Sequence, residues 1–310
     1  MPCQPTRQLG KHTWESDDLD LGPLLLQQFV NGVSSGSVYV LLAVGFTLSM
    51  GVLKLLNVAH GHFYMLGAYL VFSLCHLAGL GYWPAVILTI PSMFLVGVIV
   101  HLAGIRPLHG KGFLAPILST LAIAFLMESV ALLVWPGTVR LIDTPHNAVA
   151  LTLAGASFTE QRLLTFIAAM VLTGALYFFL QRTKLGKALR ATAQNEDSAE
   201  LMGINGGAMR LFALGLSAAL AGAAGGLIGP LFAVFPAMGL AALFKALIVV
   251  LLGGLGSILG AVLGGLLLGL FEAFFGGFVS ASWTPVAMFA MIIIILIIRP
   301  RGLFGREELE

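Results

Sequence analysis

Charge is scarce inside the long apolar runs of this chain, so the few ionisable side chains that fall there are the first candidates for chemistry. Glu128 lies within the apolar run 113–135, Glu272 toward the end of a glycine-rich run, and Lys245 near the start of that same stretch. A charged group at the centre of a bilayer costs roughly 2.5–3.5 kcal/mol on insertion scales. Such groups therefore mark a hydrogen-bonded structural role or a path for a polar solute, and both roles stay open for Glu128 and Glu272. Lys245 is expected to snorkel its ammonium to the interface. The other dense patch is Asn57-Val58-Ala59-His60-Gly61-His62-Phe63-Tyr64-Met65-Leu66-Gly67-Ala68-Tyr69. Asn57 suits a cap for the helix that follows, and Tyr64 and Tyr69 suit a membrane interface. His60 and His62 stand about 200° apart on a helix, which argues against a shared metal.

The familiar reaction signatures are missing. Gly110-Lys111-Gly112 lacks the upstream glycine and the Ser/Thr of a phosphate-binding P-loop, so nucleotide binding by that route is not expected. The sequence has no H-E-x-x-H or paired-cysteine motif, and its two cysteines, Cys3 and Cys75, form neither a disulfide framework nor a metal spacing. Two isolated glutamates make a poor proton relay, which needs several groups in series. No enzyme, cofactor or metal site is expected.

The elements that must position these residues are membrane spans. Of 310 residues, 58% are hydrophobic and 10% charged, with mean hydropathy +0.98, against about 25% charged in soluble domains. The fold class expected is an all-α polytopic membrane protein. A net charge of +2 gives no argument for nucleic acid. Residues 1–22 read as a polar, poorly ordered tail with no signal-peptide core, and 23–308 as one transmembrane domain. Spans of about 20 residues are expected near 24–50, 61–80, 84–105, 113–135, 161–181, 211–234, 241–276 and 283–299. The seventh is too long and is broken at Gly253-Gly254-Leu255-Gly256-Ser257, giving eight or nine transmembrane helices, with broken half-helices. Gly51–Gly61 and the 253–257 break hold loosely similar places in the two halves, the outline of an inverted repeat. Glycines four apart, as at Gly32/Gly36, Gly225/Gly229 and Gly256/Gly260/Gly264, are expected to let helices pack closely. The basic loops 106–111 and 182–210 and the tail with Arg299, Arg301 and Arg306 are placed in the cytoplasm, and 136–160 outside.

Residues 182–210 are the one long polar stretch. Leu185, Leu189, Ala193, Ala199, Leu201 and Met202 form an apolar side by helical spacing, while Lys187, Arg190, Gln194 and Asp197 face away. Gly203 and Asn205-Gly206-Gly207 end it. Such a helix either lies on headgroups or docks into another protein.

Several separate motifs resemble one family. Asn31-Gly32, Gly36-Ser37-Val38-Tyr39, Ala43-Val44-Gly45-Phe46-Thr47-Leu48, Asn57-x-Ala59-His60-Gly61 with Met65-x-Gly67-Ala68-Tyr69, the 253–257 glycine run followed by Glu272, and Arg299-Pro300-x-Gly302-Leu303-x-Gly305 are similar to the permeases of branched-chain amino-acid ABC importers, of the LivH type. The resemblance runs from about residue 24 to 308. It implies a permease subunit of the bacterial inner membrane, a second homologous permease, two cytoplasmic ATPase subunits and a soluble substrate-binding protein. It also implies that 182–210 is the coupling loop, with Gly186, Arg190, Ala191, Ala193, Ala199 and Gly203 carrying the match and Arg190, Glu196, Asp197 and Glu200 at the rim of the docked surface. Gly36, Tyr39, Asn57, His60, Gly61, Glu128 and Glu272 are the implied path or gate positions. Val58, His62 and Glu128 depart from the family pattern near that path, so the solute stays open between branched-chain and other small amino acids. The alternative is a stand-alone secondary transporter or channel for a small polar solute such as an amide or urea.

Overall fold

The computed structural model describes residues 21–299 and 302, apart from 109, 113, 137, 138, 154 and 255. The polar tail expected over 1–22 lies outside the described residues except for Leu21 and Gly22, which already open the first helix. Most of the C-terminal motif also lies outside them.

Eleven α-helices account for most of the chain: α1 (Leu21–Leu53), α2 (His60–His76), α3 (Tyr82–Val100), α4 (Leu114–Val134), α5 (Glu160–Arg182), α6 (Lys184–Gln194), α7 (Glu196–Leu201), α8 (Gly206–Ile228), α9 (Met238–Gly253), α10 (Ile258–Phe275) and α11 (Thr284–Ile298). A π-turn at His101–Ile105 and a 3₁₀ turn at Arg106–Leu108 extend α3, and a second π-turn at Gly276–Ser280 extends α10. One hairpin, β1 (Ala150–Leu153) with β2 (Ala156–Thr159), caps the end of the bundle where α1 begins; a Cβ at Gly155 would lie 2.9 Å from Pro23. Six of the apolar helical segments are long enough to cross a bilayer unaided, while α9 and α11 are shorter apolar helices. The break expected at 253–257 is present: Gly254 and Gly256 take positive φ of 89° and 80°, which glycine adopts without a Cβ clash, and Ser257 caps α10 by accepting from Gly260 N at 3.0 Å.

α1 and α8 form the centre. In each, 83% of the apolar window is buried, against 22% in α4 and 28% in α5, which face outward. The central helices pack through small residues. A Cβ at Gly225 would stand 1.9 Å from Tyr64 O, and one at Gly67 would stand 2.2 Å from Gly222 O, so α2 lies backbone to backbone on α8. Gly32, Gly36, Gly265 and Gly269 do the same between α1 and α10.

α2 and α9 begin inside the bundle. His60, the first residue of α2, bonds Leu42 and Ser217, each eleven residues before the C-terminal end of its own helix (53−42 and 228−217). At 1.5 Å per residue that is about 16 Å from either end. Residues 54–59 therefore run back into the bundle from the end of α1, and 229–237 run in from the opposite end. The starts of α2 and α9 meet: a Cβ at Gly61 would lie 2.0 Å from Gly239 O. The two helices then leave in opposite directions. The helix contacts follow one scheme: α1 packs on α10 as α8 packs on α3, and α2 packs on α8 as α9 packs on α1.

Substitution of Gly225 by alanine is expected to lower the thermal unfolding midpoint in detergent, because overpacking against backbone costs about 1–3 kcal/mol or more. Gly174→Ala, where an added methyl meets nothing within 4 Å, is expected to leave it unchanged.

Candidate functional site

Two clusters of ionisable side chains inside the bundle define distinct places. Lys245, in α9, donates to Glu272 Oε1 of α10 and to the Tyr39 hydroxyl of α1, each at 2.7 Å. Its Nζ also lies 4.5 Å from the centre of the Tyr39 ring, within cation–π range. Lys245 thus does not snorkel to an interface but turns inward to a carboxylate and a phenol. The hairpin geometry explains the meeting. Gly253 packs on Gly260 and Val249 on Gly264, so the next turn brings Lys245 beside Leu268, and its four-carbon stem spans the last turn to Glu272.

Tyr39, Tyr64, Lys245 and Glu272 line one cavity of about 190 Å³, whose other walls are apolar: Leu42, Ile228, Phe232, Phe235 and Met238. It is half open. The side chains of Lys245 and Glu272 keep 22% and 27% exposure, and Glu272 Oε2 is buried without a hydrogen-bond partner among the described residues.

The second place is the mid-depth junction. Leu42 O can only accept, so His60 Nε2 carries the hydrogen and donates to it at 3.0 Å. The Ser217 hydroxyl then donates to His60 Nδ1 at 3.2 Å. A fully buried histidine between two central helices is satisfied at both nitrogens and ties α2 to α1 and α8. Asn57 does not cap α2. Its Oδ1 accepts from Ala59 N at 3.1 Å and turns the chain one step earlier, while its Nδ2 is buried without a partner among the described residues. His62 turns the other way and meets Glu128 of α4 at 3.4 Å. The two histidines diverge as their spacing implied, and no group of three or more His, Cys, Asp or Glu gathers for a metal among the described residues. Gly36 is a packing position against Gly265 of α10, and Glu128 stands outside the cavity lining.

The polar stretch folds as two short helices. Thr183 caps α6 by accepting from Gly186 N at 2.9 Å, and Asn195 caps α7 by accepting from Ser198 N at 3.0 Å. Gly203, with φ of 82°, ends α7 in the left-handed turn that favours glycine. Its apolar residues divide. Leu189 and Ala199 are buried on the chain itself, and Gly186 lies so close to α5 that a Cβ would meet Phe179 O at 2.3 Å. Leu185, Leu201 and Met202 point to solvent, at 47%, 89% and 82% exposure. The single apolar side expected from spacing is therefore split, because α6 and α7 meet at the Asn195 turn rather than forming one helix. Arg190, Ala191 and Ala193 are half-buried. Glu196 pairs with Arg210 of α8, an internal contact that spacing did not suggest, and Glu200 lies beside it at the start of α8, where the helix dipole favours anions.

Of the twelve described lysines and arginines, Lys54, Arg106, Lys111, Arg182, Lys184, Lys187, Arg190, Arg210 and Arg299 gather at the end of the bundle carrying α6 and α7, and only Arg140 and Arg162 at the other. With this bundle, its mid-depth helix starts and its charged cavity described, comparison of the whole chain becomes decisive. The sequence model described as branched-chain amino acid transport system / permease component matches residues 28–297. The chain belongs to this permease family. The permease is 34% identical to the high-affinity branched-chain amino acid transport system permease protein BraD of Pseudomonas aeruginosa, over 92% of this chain and 97% of the relative. It is 32% identical to the LivH permease protein of Escherichia coli K12 over the same shares, and 31% identical to a probable LivH of Methanocaldococcus jannaschii over 71% of this chain and 70% of the relative. No solved structure gave a significant match. The permease is thus an all-α, multi-pass membrane protein of a transport system.

Ser217→Ala removes the donor to a buried ring nitrogen, and an unsatisfied buried acceptor costs about 1–3 kcal/mol. It is expected to lower the unfolding midpoint measurably, while Ser92→Ala, whose exposed hydroxyl bonds only its own helix at Leu88 O, is expected to leave it in place.

Proposed function

We propose that this chain is the membrane-spanning permease subunit of an ATP-driven importer for branched-chain or other small amino acids, and that α6 and α7 are its coupling element to separate ATPase subunits. The observation that carries the reading is the capped α6–α7 pair, which is anchored on its inner side by Gly186, Leu189 and Ala199 and presents Leu201 and Met202 outward. Two long apolar side chains exposed on a polar, cationic end of a membrane protein form a natural knob for a groove on another protein. Arg190, Ala191, Ala193, Glu196, Glu200 and Gly203 surround that knob. The excess of basic residues at this end puts it in the cytoplasm. Glu196 pairs with Arg210, so a pull on α7 passes directly to α8, one of the two central helices, and from there to the junction at His60 and Gly61.

Nine helices, α1–α5 and α8–α11, enter the membrane in this reading. α1–α4 and α8–α11 form an inverted repeat, supported by the matching helix contacts and by the π-turn that follows both α3 and α10. Tyr39 and Glu272 line the path, Asn57, His60 and Gly61 form the hinge between repeats, and rocking of one repeat on the other opens the path alternately to the two sides. A second, homologous permease closes the open side of the cavity, where Phe235, Leu240 and Phe244 are exposed. A soluble binding protein delivers the amino acid from outside.

The test is the double variant Leu201→Asp/Met202→Asp in the assembled transporter. Loss of apolar docking anchors costs about 2 kcal/mol or more, so ATP-driven uptake is expected to fall by about tenfold or more while the chain still inserts and melts normally. Wild-type uptake by this variant would sink the coupling assignment.

A further inference from the structure

We infer that Lys245 and Glu272 are the pair that reads the solute, Lys245 taking the carboxylate and Glu272 the ammonium of a zwitterionic α-amino acid with an apolar side chain. The inference rests on the importer reading above and extends it to the residues that select the cargo. As found, Lys245 uses two of its three ammonium hydrogens, on Glu272 Oε1 and on the Tyr39 hydroxyl, and no partner for the third is present among the described residues. Glu272 Oε2 is buried and also lacks a partner. The pair therefore offers one open donor beside one open acceptor. A zwitterion presents the complementary set, an acceptor carboxylate and a donor ammonium on adjacent carbons.

The surroundings favour the same class of solute. The cavity, about 190 Å³, is below the roughly 300–1,000 Å³ of sites for drug-sized ligands and on the scale of a single amino acid. Ile228, Phe232, Phe235 and Met238 make the rest of the lining apolar, suited to a hydrocarbon side chain and unsuited to a charged one. Met238 and Ala241 belong to the first turn of α9, whose amino end favours a nearby anion. That end and Lys245 lie on one helix, which places the carboxylate toward α9 and the ammonium toward α10. Without a solute, the ion pair bridges the two helices at the wall of the cavity. A neutral amide or urea supplies neither charge and leaves both poles of the pair unrelieved.

The experiment uses the assembled transporter in proteoliposomes, with leucine as the probe. Glu272→Gln and Lys245→Met are each expected to lower ATP-driven leucine uptake by about tenfold or more, the scale of losing one member of a desolvated charge pair, with ATP hydrolysis retained. The charge swap Lys245→Glu/Glu272→Lys keeps the bridge but reverses its poles, so it is expected to restore the melting temperature without restoring uptake. Recovery of wild-type uptake by the swap, or wild-type uptake by either single variant, would show a merely structural bridge and overturn the assignment. A readout independent of variant folding uses the wild-type complex without its binding protein: millimolar leucine is expected to raise the melting temperature, and leucinamide, which lacks the carboxylate, is not. Equal shifts by both would overturn the role given to Lys245. If the wild-type complex takes up no leucine with ATP, the importer reading itself fails, a result separate from any of these.

Discussion

Two helices that start at mid-depth, with their first turns in backbone contact, set the rest of this structure. Lipid supplies no water to satisfy backbone or side-chain polar groups, so helix ends inside a bilayer must be enclosed by protein. The contact of Gly61 with Gly239 provides that enclosure, and any side chain at Gly61 would meet the Gly239 carbonyl. Around it the buried polar groups follow: His60 on Leu42 and Ser217, Asn57 in the turn before α2, His62 on Glu128. α1 and α8 are the most buried of the long apolar helices because they wall this junction, and their small residues serve the same end, since α2 and α10 must lie against them without intervening side chains.

The junction also explains why the charged cavity can exist. α9 is only 16 residues long because it starts inside the bundle. Lys245 therefore sits in its second turn, deep enough to meet Tyr39 and Glu272 rather than the headgroups. A buried ion pair is weak evidence of stability, because desolvation offsets the attraction. Its retention between α9 and α10, beside a half-open cavity and with one carboxylate oxygen unpaired among the described residues, fits a functional site better than a brace. α6 and α7 connect to the same junction through a chain of contacts: α7 to Arg210, α8 to Ser217 and His60, then α2 and α9.

Much of this was legible in the sequence. The helical class, the break at 253–257, the divergence of His60 and His62 and the stop at Gly203 all follow from local chemistry, because hydropathy, glycine and side-chain spacing are local signals. Three features were not. The re-entry of 54–59 and 229–237 has no local signature: 54–59 reads as a loop between spans, and 229–234 as the end of the span expected over 211–234. The pairing of Lys245 depended on a three-dimensional register, and snorkelling is the commoner fate of a lysine near the end of an apolar run. The split apolar face of α6 and α7 arose because Asn195, polar and unremarkable by spacing, became a helix cap.

The central claim is that this chain carries the path and the lever but depends on separate ATPases to move them. The most direct measurement is uptake of radiolabelled leucine by proteoliposomes holding the purified chain alone, with either an imposed ion gradient or ATP, beside liposomes holding the full complex with its ATPases and binding protein. The account predicts accumulation only in the full complex and only with ATP; concentrative uptake by the single chain under an ion gradient would contradict it.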